Sequence, residues 1–252
     1  MTPDLSDAVT GVLATCVRAT PALLERRALL RRCDQKFLLA PSAIVPLLDR
    51  VAATYAVVPA GDEYLAHYAN LYFDTPDLQC FEDHRRGKRL RQKIRIRSYA
   101  DRNVAFLEVK SRKNDLVTDK ARFQIGYGTR TLDPSMHDFL AQRCAFSLSL
   151  VPTVEIDYRR IMLVGIASDE RVTIDLGLTI DGDPRTAIGA VAIVEVKQPS
   201  RTTTTPIMDA LRETALRPIS ISKYITALAG RPGMRLNRFR SSLRSVERIA
   251  HA

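Results

Sequence analysis

Residues 93–97 read Lys93-Ile94-Arg95-Ile96-Arg97, three cations alternating with two isoleucines. Successive side chains of a β-strand point to opposite faces, so this stretch carries its cations on one face and its apolar residues on the other. The same division recurs outward along the chain. Glu108 and Lys110 alternate with Leu107 and Val109; Glu155, Asp157 and Arg159 with Val154, Ile156 and Tyr158; Arg171, Thr173 and Asp175 with Val172 and Ile174; Glu195 and Lys197 with Val194 and Val196. A half-solvated sheet accounts for any one such strand. Five strands whose polar face is repeatedly Arg, Lys, Glu or Asp, rather than Thr, Ser or Gln, point further. If helices cover the outside of a closed sheet, the charged faces line its lumen, where an excess of cations repels itself until a polyanion enters.

Period-two segments lie at 33–39, 66–73, 90–99, 104–110, 120–127, 153–163, 171–175 and 191–197, and eight antiparallel strands suffice to close a barrel. Helical spacing is expected over 1–30, broken at Pro21, then from Ser42 to Tyr55, after Asp133-Pro134, from Pro206 to Leu216, and after Ser222. The expected fold is therefore α+β, an antiparallel eight-stranded β-barrel with flanking helices. Three segments are expected: an N-terminal helical segment (1–30), a tunnel domain (31–230) and a basic tail (231–252) with six Arg against one Glu.

Composition agrees with an anionic ligand. The 252 residues hold 38 Lys and Arg against 28 Asp and Glu, a net charge of +10, which raises the local concentration of anions. No stretch approaches the ~20 apolar residues that span a bilayer, and Asp4 and Asp7 stand where a secretory signal would be apolar. A cytoplasmic location is expected, with membrane association through a partner protein or the basic tail. Cys16, Cys33, Cys80 and Cys144 are scattered without a CxxC pair, which argues against a zinc site or disulfide framework. His67, His84, His137 and His251 are equally dispersed, and none is assigned to the site.

Arg forms paired, directional hydrogen bonds to phosphate oxygens and Lys supplies a compact charge, so a row of both can grip successive phosphates. Carboxylates in such a lumen have a role if they hold a divalent cation that bridges to the chain. No Walker-type loop, GxGxxG or Ser/His/Asp arrangement is present, and phosphoryl transfer needs no protein nucleophile. On parity alone, Lys93 joins the phosphate contacts. A surface module for nucleic acid is the alternative if the charges lie on an open face; nucleic acid is not expected in a tunnel.

In chain order, Arg32-Cys33-Asp34-Gln35-Lys36-Phe37, Leu71-Tyr72-Phe73-Asp74-Thr75, Lys93 to Tyr99, Leu107-Glu108-Val109-Lys110, Tyr158-Arg159, Arg171 to Asp175, Glu195-Val196-Lys197 and Ser222-Lys223-Tyr224 resemble the VTC-type polyphosphate polymerase domain of the CYTH, or triphosphate tunnel metalloenzyme, superfamily. The resemblance implies that Lys36, Arg95, Arg97, Lys110, Lys120, Arg159, Arg171, Lys197 and Lys223 hold phosphates, with Ser222 and Tyr99 also at the substrate. It implies Glu195 as a ligand for Mn²⁺ or Mg²⁺, with Glu108, Glu155, Asp157 and Asp175 either as helpers or as ion-pair partners of nearby Arg and Lys. The implied reaction moves the γ-phosphate of ATP onto inorganic polyphosphate; hydrolysis of triphosphate or a nucleoside triphosphate is the alternative. One departure stands out. The superfamily opens with an ExExK strand, and Arg32, Asp34 and Lys36 occupy those positions here. Oligomeric state is not legible.

Overall fold

The computed structural model describes residues 1–27, 33–112, 118–144, 149–236 and 239–251. Arg32 of the first motif and the end of the 1–30 helical segment lie outside them. Nine strands form one antiparallel sheet: β1 (Cys33–Leu39), β2 (Tyr55–Val57), β3 (Ala66–Asp74), β4 (Arg91–Tyr99), β5 (Val104–Arg112), β6 (Thr118–Ile125), β7 (Val151–Gly165), β8 (Arg171–Ile180) and β9 (Ala192–Gln198). Eight follow the order β1-β9-β8-β7-β3-β4-β5-β6, and β2 pairs with the end of β7. Among the described residues no ladder joins β6 to β1, but the sheet curves strongly enough that Lys36 of β1 lines one cavity with Lys93 of β4 and Lys110 of β5.

On β4, β5, β8 and β9 the apolar faces read from alternation are the outer ones, whereas on β7 Val154, Ile156 and Tyr158 belong to the inner cluster. Phe37, Leu39, Val172, Ile174, Val194 and Val196 pack against Val9 and Leu13 of α1 (Pro3–Thr15), Ile44, Leu47 and Leu48 of α3 (Ile44–Val51), and Ile207 and Leu211 of α6 (Pro206–Glu213). On the other side, Ile94, Ile96, Leu107 and Val109 pack against Met136 and Leu140 of α5 (Pro134–Ala141), a helix capped by Asp133. Each such fully buried side chain contributes about 1.5–3 kcal/mol, so the outer helices fix which face of the sheet is left to look inward. Short α2 (Pro21–Arg26) follows Pro21, as the break in the first helical segment predicts.

An apolar cluster also occupies one end of the interior. Leu38, Tyr68, Tyr72, Tyr158, Leu178 and Ile193 meet Tyr224, Ile225 and Leu228 of α7 (Lys223–Ala229) and Val246 of α8 (Arg240–Ala250). Leu178 and Leu176 have the same parity, yet Leu176 belongs to the outer core and Leu178 to the inner one. A β-bulge makes the switch: the β7–β8 register shifts between Asp157 and Arg159, opposite Gly177, whose φ of +59° suits glycine.

One local expectation is corrected. The helix expected to reach Tyr55 ends at Val51, because Tyr55 is fully buried in β2, where its hydroxyl pairs with Glu170 and accepts from the Ile207 amide at 3.2 Å. After β3, a short helix, α4 (Gln79–Arg86), carries Arg85 and Arg86, both paired with Glu82. The basic tail forms α8, with Arg240, Arg244 and Arg248 exposed. Among the described residues, no helix is long and apolar enough to cross a membrane.

Candidate functional site

Alternation along β4 aims Arg91, Lys93, Arg95, Arg97 and Tyr99 inward, and each side chain is oriented by a neighbouring element. Lys93 Nζ donates to Ser222 Oγ at 2.8 Å. Arg95 donates through Nε and Nη2 to Glu108 Oε2 at 2.9 and 2.7 Å, and through Nη1 to the Tyr72 hydroxyl at 2.9 Å. Arg97 donates to Asn70 Oδ1 at 2.8 Å and to the Tyr158 hydroxyl at 3.2 Å. Next door on β5, Lys110 stands opposite Lys93 on one side and Lys120 on the other. Lys120 Nζ lies 2.6 Å from Glu108 Oε1.

The facing wall comes from β1, β9, β8 and β7. Lys36 is in register with Glu195, whose Oε2 accepts from Lys197 Nζ at 2.6 Å; Lys36 Nζ is 3.6 Å from Oε1. Lys197 also donates to Thr173 Oγ1 at 3.1 Å. Asp175 accepts two hydrogen bonds from Arg160, at 2.5 and 2.7 Å, and one from Lys223.

The Ser222-Lys223-Tyr224 motif ties the two walls together. Ser222 caps α7 and receives Lys93; Lys223 reaches Asp175 and lies 4.6 Å above the Tyr158 ring; Tyr224 reaches Asp74 at the end of β3. The preceding loop is pinned to β1, with the Ile219 amide donating to the Lys36 carbonyl at 2.7 Å and Lys36 Nζ to the Ile221 carbonyl at 3.3 Å. Between the walls lies a cavity of about 510 Å³, lined by Lys36, His84, Arg91, Lys93, Lys110, Arg112, the 218–222 loop and residues at the start of α8. That volume falls in the ~300–1,000 Å³ range of small-molecule sites.

Of the expected residues, Lys36, Lys93, Lys110 and Ser222 line this cavity, and Arg95, Arg97, Lys120, Lys197 and Lys223 stand on the two walls beyond its lining. Arg159 does neither. Tyr158 and Arg160 share the inward face, with Arg160 stacked over Tyr68 and Tyr158 at 4.8 and 5.2 Å, which puts Arg159 on the opposite face with Glu155 and Asp157. The aromatic of Tyr158-x-Arg160 was the overlooked signal, since tyrosine lines polar lumens as readily as apolar cores. Arg171 keeps the parity of Thr173 and Asp175 but donates to the Leu24 carbonyl of α2, at the periphery. Tyr99 packs edge-on against Tyr68 in the aromatic end of the interior. His84, assigned no role above, lines the cavity.

Electrostatics follows from crowding like charges. Burial lowers the Lys93 pKa well below the usual lysine range, reinforced by Lys110, Lys36 and Arg95. Lys110, Lys120 and Lys197 are lowered for the same leading reason. Burial pushes Glu108 up, but Arg95, Arg97 and Lys120 outweigh it and hold the carboxyl at about 2. Asp175 and Glu195 are likewise held low against burial, by Arg160 with Lys223 and by Lys197 with Lys36.

These contacts bear on metal binding. Glu195, Glu108 and Asp175 are each clasped by two or three cations, and among the described residues no three His, Cys, Asp or Glu form a cluster able to hold a metal ion. The three carboxylates therefore do not form a ready metal site. Glu195 is the one with a loose partner, Lys36.

A family profile described as the VTC domain matches residues 31–230. No curated protein sequence matches the chain. Among solved structures, a candidate adenylate cyclase from Bacillus halodurans superposes with a TM-score of 0.52 at 13% identity, over 76% of this chain and 94% of that one. A candidate adenylyl cyclase from Hippeastrum, described as having a dominant triphosphatase activity, has a TM-score of 0.49 at 14% identity, over 80% and 97% of the two chains. The first of these supports the fold alone.

Proposed function

Because the chain belongs to the VTC domain family, we propose that its interior holds a phosphate chain and that it transfers the γ-phosphate of ATP to the end of a growing inorganic polyphosphate. One observation carries the reading. Among the described residues, Lys36, Arg91, Lys93, Arg95, Arg97, Lys110, Arg112, Lys120, Arg160, Lys197 and Lys223 stand on the inward faces against Asp34, Glu108, Asp175 and Glu195, so 11 − 4 leaves an excess of seven positive charges. A linear polyanion neutralises that excess along its length, with no need for recognition of each unit.

The reaction needs positioning and charge stabilisation rather than a protein nucleophile. A terminal oxygen of the bound chain attacks Pγ, the bond from Pγ to the β-bridging oxygen breaks, and ADP leaves with its charge. Arg95 and Arg160 supply fixed donors, because Glu108 and Asp175 hold each guanidinium in place before substrate arrives. Lys223 reaches the same point from α7. A divalent cation would be supplied with ATP as its counter-ion, because Glu108, Asp175 and Glu195 are already paired with Arg and Lys.

Parallel measurement of ADP, orthophosphate and polyphosphate from ATP with Mn²⁺ tests the reading. ADP with polyphosphate supports transfer. ADP with equimolar orthophosphate assigns hydrolysis, and no turnover with steeply salt-dependent polyanion binding assigns a binding module.

A further inference from the structure

Among the cations that line the cavity stands one neutral base. His84 lies on the last turns of α4, where its Nδ1 sits 2.8 Å from the Cys80 carbonyl. A carbonyl only accepts, so Nδ1 carries a hydrogen in either protonation state. In the neutral ring the lone pair is then on Nε2, which has no hydrogen-bond partner among the described residues. A core histidine would have both nitrogens satisfied.

The groups that face His84 are all of one sign: Lys93 and Arg91 from β4, Lys110 and Arg112 from β5, and Lys36 from β1. The carboxylates of its own helix are engaged elsewhere, Asp83 with Lys88 at 2.8 Å and Glu82 with Arg85 and Arg86. Burial, then Lys93, drive the imidazole pKa down to about 3. Among the described residues the Cys80 carbonyl favours an imidazolium there, but burial with Lys93 outweighs it, so an incoming polyanion is what reverses the local potential.

We propose that His84 is a proton-linked phosphate ligand: neutral in the empty tunnel, it takes a proton from solvent at Nε2 when a phosphate chain enters and donates that hydrogen to a phosphate oxygen. The proposal rests on the phosphate-chain reading of the cavity. Chain binding and proton uptake then strengthen each other, and affinity rises as pH falls through the pKa of the occupied state toward that of the empty one.

Two-bond ¹H–¹⁵N correlation of ¹⁵N-histidine protein reads this directly, because the chain has four histidines and His84→Gln assigns the resonance. At pH 6 without ligand, His84 should show the neutral pattern with hydrogen on Nδ1. Saturating tripolyphosphate should convert it to imidazolium at the same pH, with the midpoint raised from about 3 by at least about three pH units. A neutral pattern at pH 5 under saturating tripolyphosphate, or an imidazolium already present in the empty protein at pH 6, overturns the proposal. Calorimetry on the same sample separates the two layers. Binding without protonation overturns the role of His84 alone, and absence of binding overturns the phosphate reading with it. As a second readout, lowering the pH from 7 to 5.5 should tighten tripolyphosphate binding more in the wild type than in His84→Gln, by up to ~10-fold per pH unit; equal pH dependence counts against the proposal.

Discussion

Tyr224 donates its phenolic hydrogen to Asp74, a fully buried carboxylate that also accepts from the backbone amides of Thr75, Cys80 and Phe81 at 2.8, 2.8 and 2.9 Å. One side chain thus fixes the end of β3, the start of α4 and the position of α7. Motifs 150 residues apart meet at this contact. It also sets where His84 and Lys223 stand, because α4 carries one and α7 the other. Removing the phenol should leave Asp74 short of one partner. Tyr224→Phe is expected to lose about 1–3 kcal/mol of stability, read by denaturant or thermal unfolding, and an unchanged midpoint would show that the contact contributes nothing.

The inward face of β7 is decided by Arg160, not Arg159. Arg160→Ala should lower kcat/KM for ATP at least ~10-fold, a loss of about 1.4 kcal/mol of transition-state stabilisation, whereas Arg159→Ala should stay within about threefold of the wild type. Arg160→Lys, which keeps the charge but loses the paired geometry with Asp175, should fall between them. The reverse order would put the face assignment of β7 in error.

Much of this was legible in the sequence, and the parts that were not have particular causes. Alternation located eight strands because outer Ile, Val and Leu and inner Arg, Lys and Glu differ sharply in polarity. The same alternation failed at Tyr158-Arg159-Arg160, where an amphipathic tyrosine was read as outward and a bulge opposite Gly177 shifts the pairing. β2 was missed because three residues carry no period. His84 was missed because its position comes from a helix capped by Asp74, a contact invisible as spacing. Ion pairing of Glu108 and Asp175 was open in the sequence, but not which cation each meets, since Glu108 meets Lys120 only through the sheet.

Glu195 is held between Lys36 and Lys197, so in the absence of metal its charge opposes a polyanion and partly neutralises its anchors. Glu195→Gln should keep the fold, and tripolyphosphate should bind it several-fold more tightly in EDTA, as measured by calorimetry. Weaker binding in EDTA would mean that the carboxylate orients the lysines more than it repels the ligand.

His84 also predicts how the empty protein responds to acid. Its folded pKa is depressed to about 3 from an ordinary ~6.5, so the stability it permits is present above ~6.5 and lost as pH falls, by up to ~1.4 kcal/mol per pH unit. Glu108, held at about 2, adds a loss only below its ordinary ~4.3. Between pH 6.5 and 5, wild type should therefore lose stability faster than His84→Gln, and tripolyphosphate should reduce the difference. Parallel curves for the two proteins would contradict the depressed pKa.

The most direct test of the central claim is extension of a short polyphosphate primer of defined length by ATP labelled at the γ position, resolved on a gel beside ADP release. The account predicts label entering progressively longer chains, one ADP per phosphate added, with the signal lost in Arg160→Ala. Primer of unchanged length, with all label released as orthophosphate, would contradict it.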